Sequence, residues 1–484
     1  MAPFIYRYTR DLRIDDHAGL VEAASHGDVL PVLVIDRAME ARLGRSPRRA
    51  AFFCSAVAAL DRALQERGAR LIVRRGPAGA ALKAIARACS AQGVAWSASY
   101  DGAGAAADAR VQSELEEAGL RAALVHDAPA IAPDQTASAR PSGGDGYRAF
   151  APYFEVWRAL RPASYDVPLL VRFNSADVRS EALPSAGEFA GADVAIEAGP
   201  AAARAALDRF LCGPALQYSI AINVPSDERT SHLSAHLSFG SIAARSVVRA
   251  TLERMDDPFL LSEERTSLRL FLRSLAMRDF FLQLVVFYGT DHDQALQAKM
   301  QGFSFARSHP ALERWRAGTT GFPLVDAGVR QLHECGWMHP HVRAVVASFL
   351  CFDLAVDWRL GRDEWERWLI EDDPALANGN WQWIAGVGAD MAQYPRIYNP
   401  EKQRRRYDPN GAYVKAWIPE LARLPMSAWT AGIRNDAQLP LALFSRDEYP
   451  APAVDHERVA RAFLERYRAF VFKDSPEDGR RANR

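Results

Sequence analysis

Cysteine is scarce in this chain of 484 residues, and the few cysteines lie far apart. No two of them stand in a CxxC arrangement, which is the usual sign of a zinc site or an iron–sulfur cluster. The sequence therefore predicts no metal site, and isolated thiols fit a reducing, cytoplasmic setting. The five cysteines are Cys54, Cys89, Cys212, Cys335 and Cys351.

Net charge and long apolar runs are also missing. Lysine plus arginine and aspartate plus glutamate both number 59, so no global field draws the chain to nucleic acid or to a membrane surface. The first residues, MAPFIYRYTRDLR, lack the apolar core of a signal peptide, and no run reaches about eighteen apolar residues. We expect a cytoplasmic monomer that does not enter a membrane.

The first 127 residues alternate short apolar runs with helical patterns, as a doubly wound parallel sheet requires. Two of the intervening helices, 48–67 and 78–91, have the length of crossover connections. No GxGxxG follows the first run, so the dinucleotide fingerprint of such sheets is missing. The predicted strands are Phe4 to Tyr8, Val29 to Ile35, Leu71 to Val73, Val94 to Ala98 and Ala123 to Val125.

The remaining chain divides into three further parts. Residues 128–202 are rich in Ala, Pro, Gly and Ser and are predicted to be an interdomain linker. Residues 203–472 carry three- and four-residue apolar spacings, which predict an all-helical domain. Residues 473–484 are polar, and we expect a flexible tail there.

Polar residues interrupt the apolar helices of the stretch 321–400. Arg343 lies in an otherwise apolar helix, and the acidic turn Glu371, Asp372 and Asp373 precedes the next helix. A buried guanidinium needs a carboxylate partner, so we expect Arg343 to pair with Glu371.

Several motifs of this stretch occur in a fixed order. They are GWMHxxxR, ASFLxxDLxxDWR, NGxWQW and YxRIxNP. Together they closely resemble the helical cofactor domain of DNA photolyases and cryptochromes. The resemblance implies FAD in a folded pose within the helical domain and electron transfer driven by blue light. TRDLRIDDH at 9–17 resembles the opening of the family's antenna domain, so a second pigment is an open possibility.

The resemblance also implies which residues hold FAD. The hydroxyls of Thr230, Ser231 and Ser234 precede a helix, where backbone N–H groups suit a diphosphate. Residue types alone favour an ordinary helix cap, and the resemblance reverses that preference. The full set of implied cofactor contacts is Tyr218, Thr230, Ser231, His232, Leu233, Ser234, Phe271, Arg278, Trp337, Arg343, Glu371, Asp372, Asp373 and either Ala377 or Asn378.

Trp381 and Trp358 occupy the first two positions of the family's tryptophan relay for electrons. The third position holds Phe305 or Ala306, and neither side chain oxidises as readily as indole. Without the resemblance, core packing is the favoured explanation of these tryptophans. Facing the flavin ring, ungapped alignment gives Ala377, and a shift of one residue gives Asn378.

The substrate side departs from the family pattern. Ser274 replaces a glutamate that contacts pyrimidine dimers, and Met277 replaces a stacking tryptophan. His341 stands where the family has arginine, whereas His339 and Trp383 persist, and His339 either transfers a proton or simply packs.

These features leave three hypotheses. The first is light-dependent DNA repair by a carbon–carbon lyase of the deoxyribodipyrimidine photolyase type. The others are a cryptochrome-like photoreceptor and a DNA-binding flavoprotein without dimer repair. The basic segment EKQRRRY at 401–407 favours DNA as a partner, damaged or single-stranded, and is otherwise a solvated loop.

Overall fold

The structure is a computed structural model. It describes residues 2–140, 143–165, 167–189, 191, 196–227, 229–289, 293–389, 392–429 and 449–472. The predicted tail at 473–484 lies outside these ranges. The chain forms two compact units, and the first comprises Met1–Ala221, Arg229–His292 and Glu366–Leu376. The second comprises Ile222–Glu228, Asp293–Trp365 and Ala377–Arg484.

The first unit contains the predicted parallel sheet. Its strands are β1 (Phe4–Tyr8), β2 (Val29–Ile35), β3 (Ile72–Arg75), β4 (Gly93–Ser97) and β5 (Arg121–Val125). They pair in the order β3-β2-β1-β4-β5, and every pairing is parallel. The connecting helices are α1 (Ala18–Ala24), α2 (Arg37–Gly44), α3 (Pro47–Gln65), α4 (Ala78–Cys89) and α5 (Gly102–Glu117). The doubly wound α/β prediction is confirmed.

The central strands are buried on both faces, which explains why β2 is apolar throughout and β1 is apolar or aromatic except for Arg7. Alternate side chains join two separate cores, because successive residues of a strand point to opposite faces. Tyr6 and Leu33 pack in the core that includes Phe52 of α3. Ile5 and Val32 pack in the other core, which includes residues of α4 and α5.

Eight more helices belong to the first unit. Those at 133–170 lie in the segment that the sequence assigns to a linker, and the four-part domain division otherwise stays a prediction. The helices are α6 (Pro133–Ser138), α7 (Phe150–Ala159), α8 (Val167–Leu170), α9 (Pro200–Cys212), α10 (Tyr218–Ala221), α11 (Ser234–Ser238), α12 (Ala244–Met255) and α13 (Ser262–Tyr288). The helix α13 is the longest of these eight.

The second unit is helical where it is described, as predicted. A π-helical turn, Phe349–Asp353, continues α16, and its residues are all buried. The helices are α14 (Leu312–Ala317), α15 (Pro323–Cys335), α16 (Pro340–Ser348), α17 (Trp358–Trp365), α18 (Pro374–Ala385, which begins in the first unit), α19 (Pro400–Tyr407), α20 (Ala412–Trp417), α21 (Pro419–Ala422), α22 (Met426–Trp429) and α23 (His456–Val471).

Membrane insertion finds no support in these elements. Among the residues that the structure describes, no helix combines the length and the apolarity needed to cross a bilayer.

A buried carboxylate ties α13 to the segment before α6. Asp279 accepts hydrogen bonds from the N–H groups of Ala130 and Ile131 at 2.9 and 3.1 Å, and from Trp157 Nε1 at 2.9 Å. Burial raises the pKa of Asp279 to about 6, although Arg278 and these donors oppose the shift. Compared with the unfolded chain, the folded protein therefore keeps the proton on this side chain up to a higher pH.

This raised pKa predicts a pH-dependent stability. An acid whose pKa is raised on folding stabilises the protein below its unfolded pKa, and that stability is lost as the pH rises through the folded pKa. Between pH 4 and 6.5, the unmodified protein should lose about 2 kcal/mol of unfolding free energy relative to Asp279→Asn. Urea unfolding of both proteins over this pH range measures the difference. Parallel pH profiles would contradict the assignment.

Candidate functional site

The segment 230–234 has the features of an anion cradle. His232 has a φ of 50°, a left-handed conformation that a side chain of this size seldom adopts, so the chain turns sharply between the hydroxyl residues. Thr230 Oγ1 is buried and has no hydrogen-bond partner among the described residues. A buried hydroxyl without a partner costs free energy, which a bound group would recover. This observation fits the predicted diphosphate.

The neighbouring hydroxyls have partners of their own. Ser231 Oγ accepts a long hydrogen bond of 3.5 Å from the N–H of Leu233. Ser234, the first residue of α11, donates to Glu371 Oε2 at 3.5 Å. The structure thus brings together two predicted cofactor segments that are more than 130 residues apart in the sequence.

The acidic turn is fixed by arginines that the sequence reasoning missed. Arg42 donates to both carboxylate oxygens of Asp372, with its shortest contact at 2.6 Å. Arg10 and Arg49 lie 3.6 Å from the same carboxylate. Burial alone would raise the pKa of Asp372, but these three guanidinium groups hold it well below its usual range. Asp372 is therefore a charged anchor of the turn.

The side chain of Arg278 lies beside the last residue of that turn. Its Nη2 is 3.8 Å from Asp373, and its Nη1 donates to the carbonyl of Ala128 at 2.7 Å. Burial raises the pKa of Asp373, and the charge of Arg278 opposes the rise. Arg278 Nε is buried without a partner among the described residues, so this arginine retains a donor for a further group.

A second cluster joins a predicted cofactor residue to the altered substrate position. The hydroxyls of Tyr218 and Ser274 share a hydrogen bond at 3.4 Å, and Ser274 Oγ also donates to the carbonyl of Leu270 at 3.2 Å. The rings of Tyr218 and Phe271 meet edge to face, with centroids 5.5 Å apart. Met277 is half-buried one helical turn after Ser274. The predicted residues of α13 thus share one neighbourhood.

In the second unit, the two predicted relay tryptophans are buried. Trp381 packs against Gly361 so closely that a Cβ on the glycine would lie 2.2 Å from the indole ring. The ring of Trp365 lies 4.5 Å from that of Trp381, a contact absent from the sequence prediction. The guanidinium groups of Arg359 and Arg362 lie 4.7 and 5.4 Å from the Trp358 ring. Both guanidinium groups are ion-paired, Arg359 with Asp357 and Arg362 with Asp293 and Asp363, so their charges are largely compensated.

The histidines after GWM lie inside the same unit. His339 is fully buried, and its backbone N–H donates to Gln331 Oε1 at 3.1 Å. His341 packs against Tyr407, with ring centroids 4.7 Å apart, and burial lowers the pKa of His341, helped by the charge of Arg406. Trp337 meets His339 edge to face at 6.2 Å. With the contact of His339 and His341 at 6.0 Å, these four rings form one aromatic row.

The remaining predicted residues are less closely grouped. Arg343 Nε donates to the carbonyl of Met338 at 2.8 Å. Glu371 belongs to the other unit, so the expected pair with Arg343 stays a prediction. Asn378 is buried and accepts a hydrogen bond of 3.1 Å from Arg362. The amide oxygen of Asn378 is thus engaged within the protein. Ala377 and Trp383 are half-buried.

Comparison with known proteins places both halves of the chain in one family. Residues 5–169 match the family model described as DNA photolyase, and residues 271–469 match the FAD binding domain of DNA photolyase. The chain is 35% identical to a deoxyribodipyrimidine photo-lyase of Halobacterium salinarum, over 94% of this chain and 96% of that protein.

Solved structures agree in fold. A bacterial class III photolyase from Agrobacterium tumefaciens has a TM-score of 0.82 at 29% identity, covering 98% of each chain. A cryptochrome from Synechocystis has a TM-score of 0.85 at 24% identity and covers 96% of this chain and 98% of its own. The second likeness concerns the fold alone.

The contact of Gly361 with the Trp381 ring generates a prediction. Gly361→Ala should displace the indole and destabilise the protein by about 1–3 kcal/mol, because the added methyl overlaps the ring. Urea unfolding and tryptophan fluorescence measure both effects. The helical Gly44 has open space around it, so Gly44→Ala is the matched control and should not destabilise. Equal stability of the two variants would contradict the packing described.

Proposed function

Because the chain belongs to the DNA photolyase and cryptochrome family, we propose that it is a light-driven FAD protein that acts on a DNA lesion by electron transfer. FAD, when bound, supplies a redox centre that absorbs blue light. The buried, unpartnered hydroxyl of Thr230 in the segment 230–234 carries the proposal, because that segment suits the cofactor's diphosphate.

We assign the residues that hold FAD from their contacts. Thr230 and Ser231 would donate hydroxyls to the diphosphate. Ser234 donates its hydroxyl to Glu371 instead and so ties the segment to the acidic turn. The free Nε of Arg278 offers a charge-assisted donor, and Asp373 keeps that guanidinium in place. The role of Asp372 is to hold the turn through its arginines.

Trp381 is the proposed first electron carrier, and Trp358 the second. The arginines beside Trp358 are paired with carboxylates, so they leave Trp358 available as the second carrier. Phe305 packs with Phe303 and Phe463 at the position of the missing third tryptophan, and a phenyl group there is a poor electron donor.

The substrate face lacks two groups that efficient splitting of pyrimidine dimers requires. Ser274 is exposed and engaged by Tyr218 and Leu270, and a hydroxyl cannot supply the proton that a carboxylic acid supplies. Met277 cannot stack on a base as indole does, a contact worth about 1–3 kcal/mol. These two departures favour a second candidate, a photoreceptor of the cryptochrome type.

The basic helix α19 offers less charge to DNA than its sequence suggests. Glu401 pairs with Arg404 at 2.9 Å and with Arg405 at 2.8 Å. Arg404 is also buried, so Lys402, Arg406 and the outer part of Arg405 carry most of the accessible positive charge. We therefore propose weak, salt-sensitive contact with the DNA backbone through this helix.

The proposed role of Thr230 predicts an effect on FAD retention. Thr230→Val keeps the side-chain volume and removes the hydroxyl, so FAD affinity should fall about tenfold, as for loss of one hydrogen bond to a charged group. Release of FAD fluorescence on dilution measures the affinity. Thr251 is a buried threonine whose hydroxyl donates to Val247 within α12, so Thr251→Val is the matched control. Unchanged FAD affinity in Thr230→Val would contradict the assignment.

The second prediction tests the enzymatic proposal. The unmodified protein should repair a dimer-containing oligonucleotide only weakly under blue light. Ser274→Glu restores a carboxyl group at an exposed position and should raise the repair yield by about an order of magnitude or more. Thr266→Glu, at an exposed position of the same helix, is the control. Efficient repair by the unmodified protein would refute weak dimer repair, and no repair by Ser274→Glu would favour the photoreceptor.

A further inference from the structure

The first unit contains a groove that the proposed function does not use. Its volume is about 590 Å³, within the range of roughly 300–1,000 Å³ that small-molecule sites occupy. The groove is bounded by the C-terminal half of α3, the start of α9 and the loop that leads into α12. Its lining combines arginines with small apolar residues such as Ala59, Ala63 and Ile242.

Two helices begin at this groove without a polar cap. The N-cap of α9 is Gly199 and that of α12 is Ala243, and neither residue has a side chain that accepts a hydrogen bond. Their first-turn N–H groups are therefore left for another acceptor. Pro200 and Ala201 of α9, together with Ala243, line the groove. Each helix start also carries the positive end of its dipole, which favours an anion.

Gly199 brings the start of α9 against α3. Its φ is 99°, and a Cβ there would lie only 2.6 Å from the Cβ of Ala59. The close approach therefore requires glycine. This close approach narrows the groove between α3 and α9, so arginines of both helices line it.

Two of these arginines have free guanidinium groups. Arg62 of α3 and Arg204 of α9 are exposed, and neither takes part in an ion pair within the described part of the chain. Arg67 pairs with Asp15 at 3.4 Å in an exposed contact that an anion can displace. Glu66 is the other carboxylate in the lining. The accessible charge of the groove is thus positive.

A buried hydroxyl provides the independent sign of a ligand. Ser241 lines the groove and is only 2% exposed. Its Oγ has no hydrogen-bond partner among the residues that the structure describes. A serine hydroxyl can donate to a phosphate oxygen, and a ligand here would satisfy it.

We propose that this groove binds a small phosphate ester of about the size of a mononucleotide. The phosphate would sit at the two helix starts, between Arg62 and Arg204, with Ser241 as a further donor. The organic part would lie on Ala59, Ala63 and Ile242. A small ester fits better than a nucleic-acid backbone, because Asp15 and Glu66 would repel the next phosphates of a longer polyanion.

Calorimetric titration of the FAD-loaded, full-length protein tests this site, since bound FAD blocks its own phosphate pocket. AMP should bind, and adenosine should bind at least about tenfold more weakly because it lacks the phosphate. The double variant Arg62→Ala/Arg204→Ala should weaken AMP binding about tenfold or more, and Ser241→Ala about threefold.

The matched control is Arg87→Ala/Arg110→Ala, which removes two exposed arginines outside the groove. It should bind AMP as the unmodified protein does. Equal affinities for AMP and adenosine, or equal losses in the test and control variants, would overturn the proposal. Binding of a single-stranded oligonucleotide through Arg62 and Arg204 without binding of AMP would also overturn it.

Discussion

The ion pairs of one buried carboxylate, Asp372, organise the polar part of the first unit. Arg10 follows β1, Arg42 belongs to α2 and Arg49 to α3, and all three meet this side chain. The N–H of Asp372 is also within 2.7 Å of Ser238 Oγ at the end of α11. Without its arginine partners, a charge at this depth would cost several kcal/mol. The carboxylate and its arginines therefore depend on one another for their contribution to stability.

The position of this carboxylate determines what its neighbours can do. With the turn fixed, Glu371 lies within reach of Ser234, and Asp373 lies beside Arg278. Ion pairs within the protein therefore preorganise the groups proposed to hold FAD. Such preorganisation reduces the ordering cost of binding. The hydroxyl of Thr230 has no partner among the residues that the structure describes, which supports its proposed role in the cradle.

Local patterns were enough to predict the architecture. Buried apolar runs gave the five strands, and three- and four-residue spacings gave the helices, because both signals come from neighbouring residues. The partners of Asp372 could not be predicted in this way, since more than 320 residues separate them from it. Arg49, a buried arginine in the largely apolar α3, was the one available signal.

Three other features could not be predicted from the sequence, because each depends on how distant or helically spaced residues pack. Glu366–Leu376 packs with the first unit although the chain on either side belongs to the second, and no local pattern reveals such a crossing. The need for Gly361 follows from the proximity of Trp381, which only the packing of α17 and α18 defines. In EKQRRRY the basic residues were evident, but the pairing of Glu401 with two of them depends on the helical spacing.

Photoreduction of the bound FAD tests the proposed electron path most directly. The FAD-loaded protein would be illuminated with blue light without oxygen, in the presence of an external reductant, while the absorption of oxidised FAD is followed. Trp381→Phe should slow the loss of that absorption sharply, whereas Trp383→Phe, two residues further along α18, should leave it unchanged. Equal rates in the unmodified protein and Trp381→Phe would contradict the path, because electrons would then reach FAD without the buried indole of Trp381.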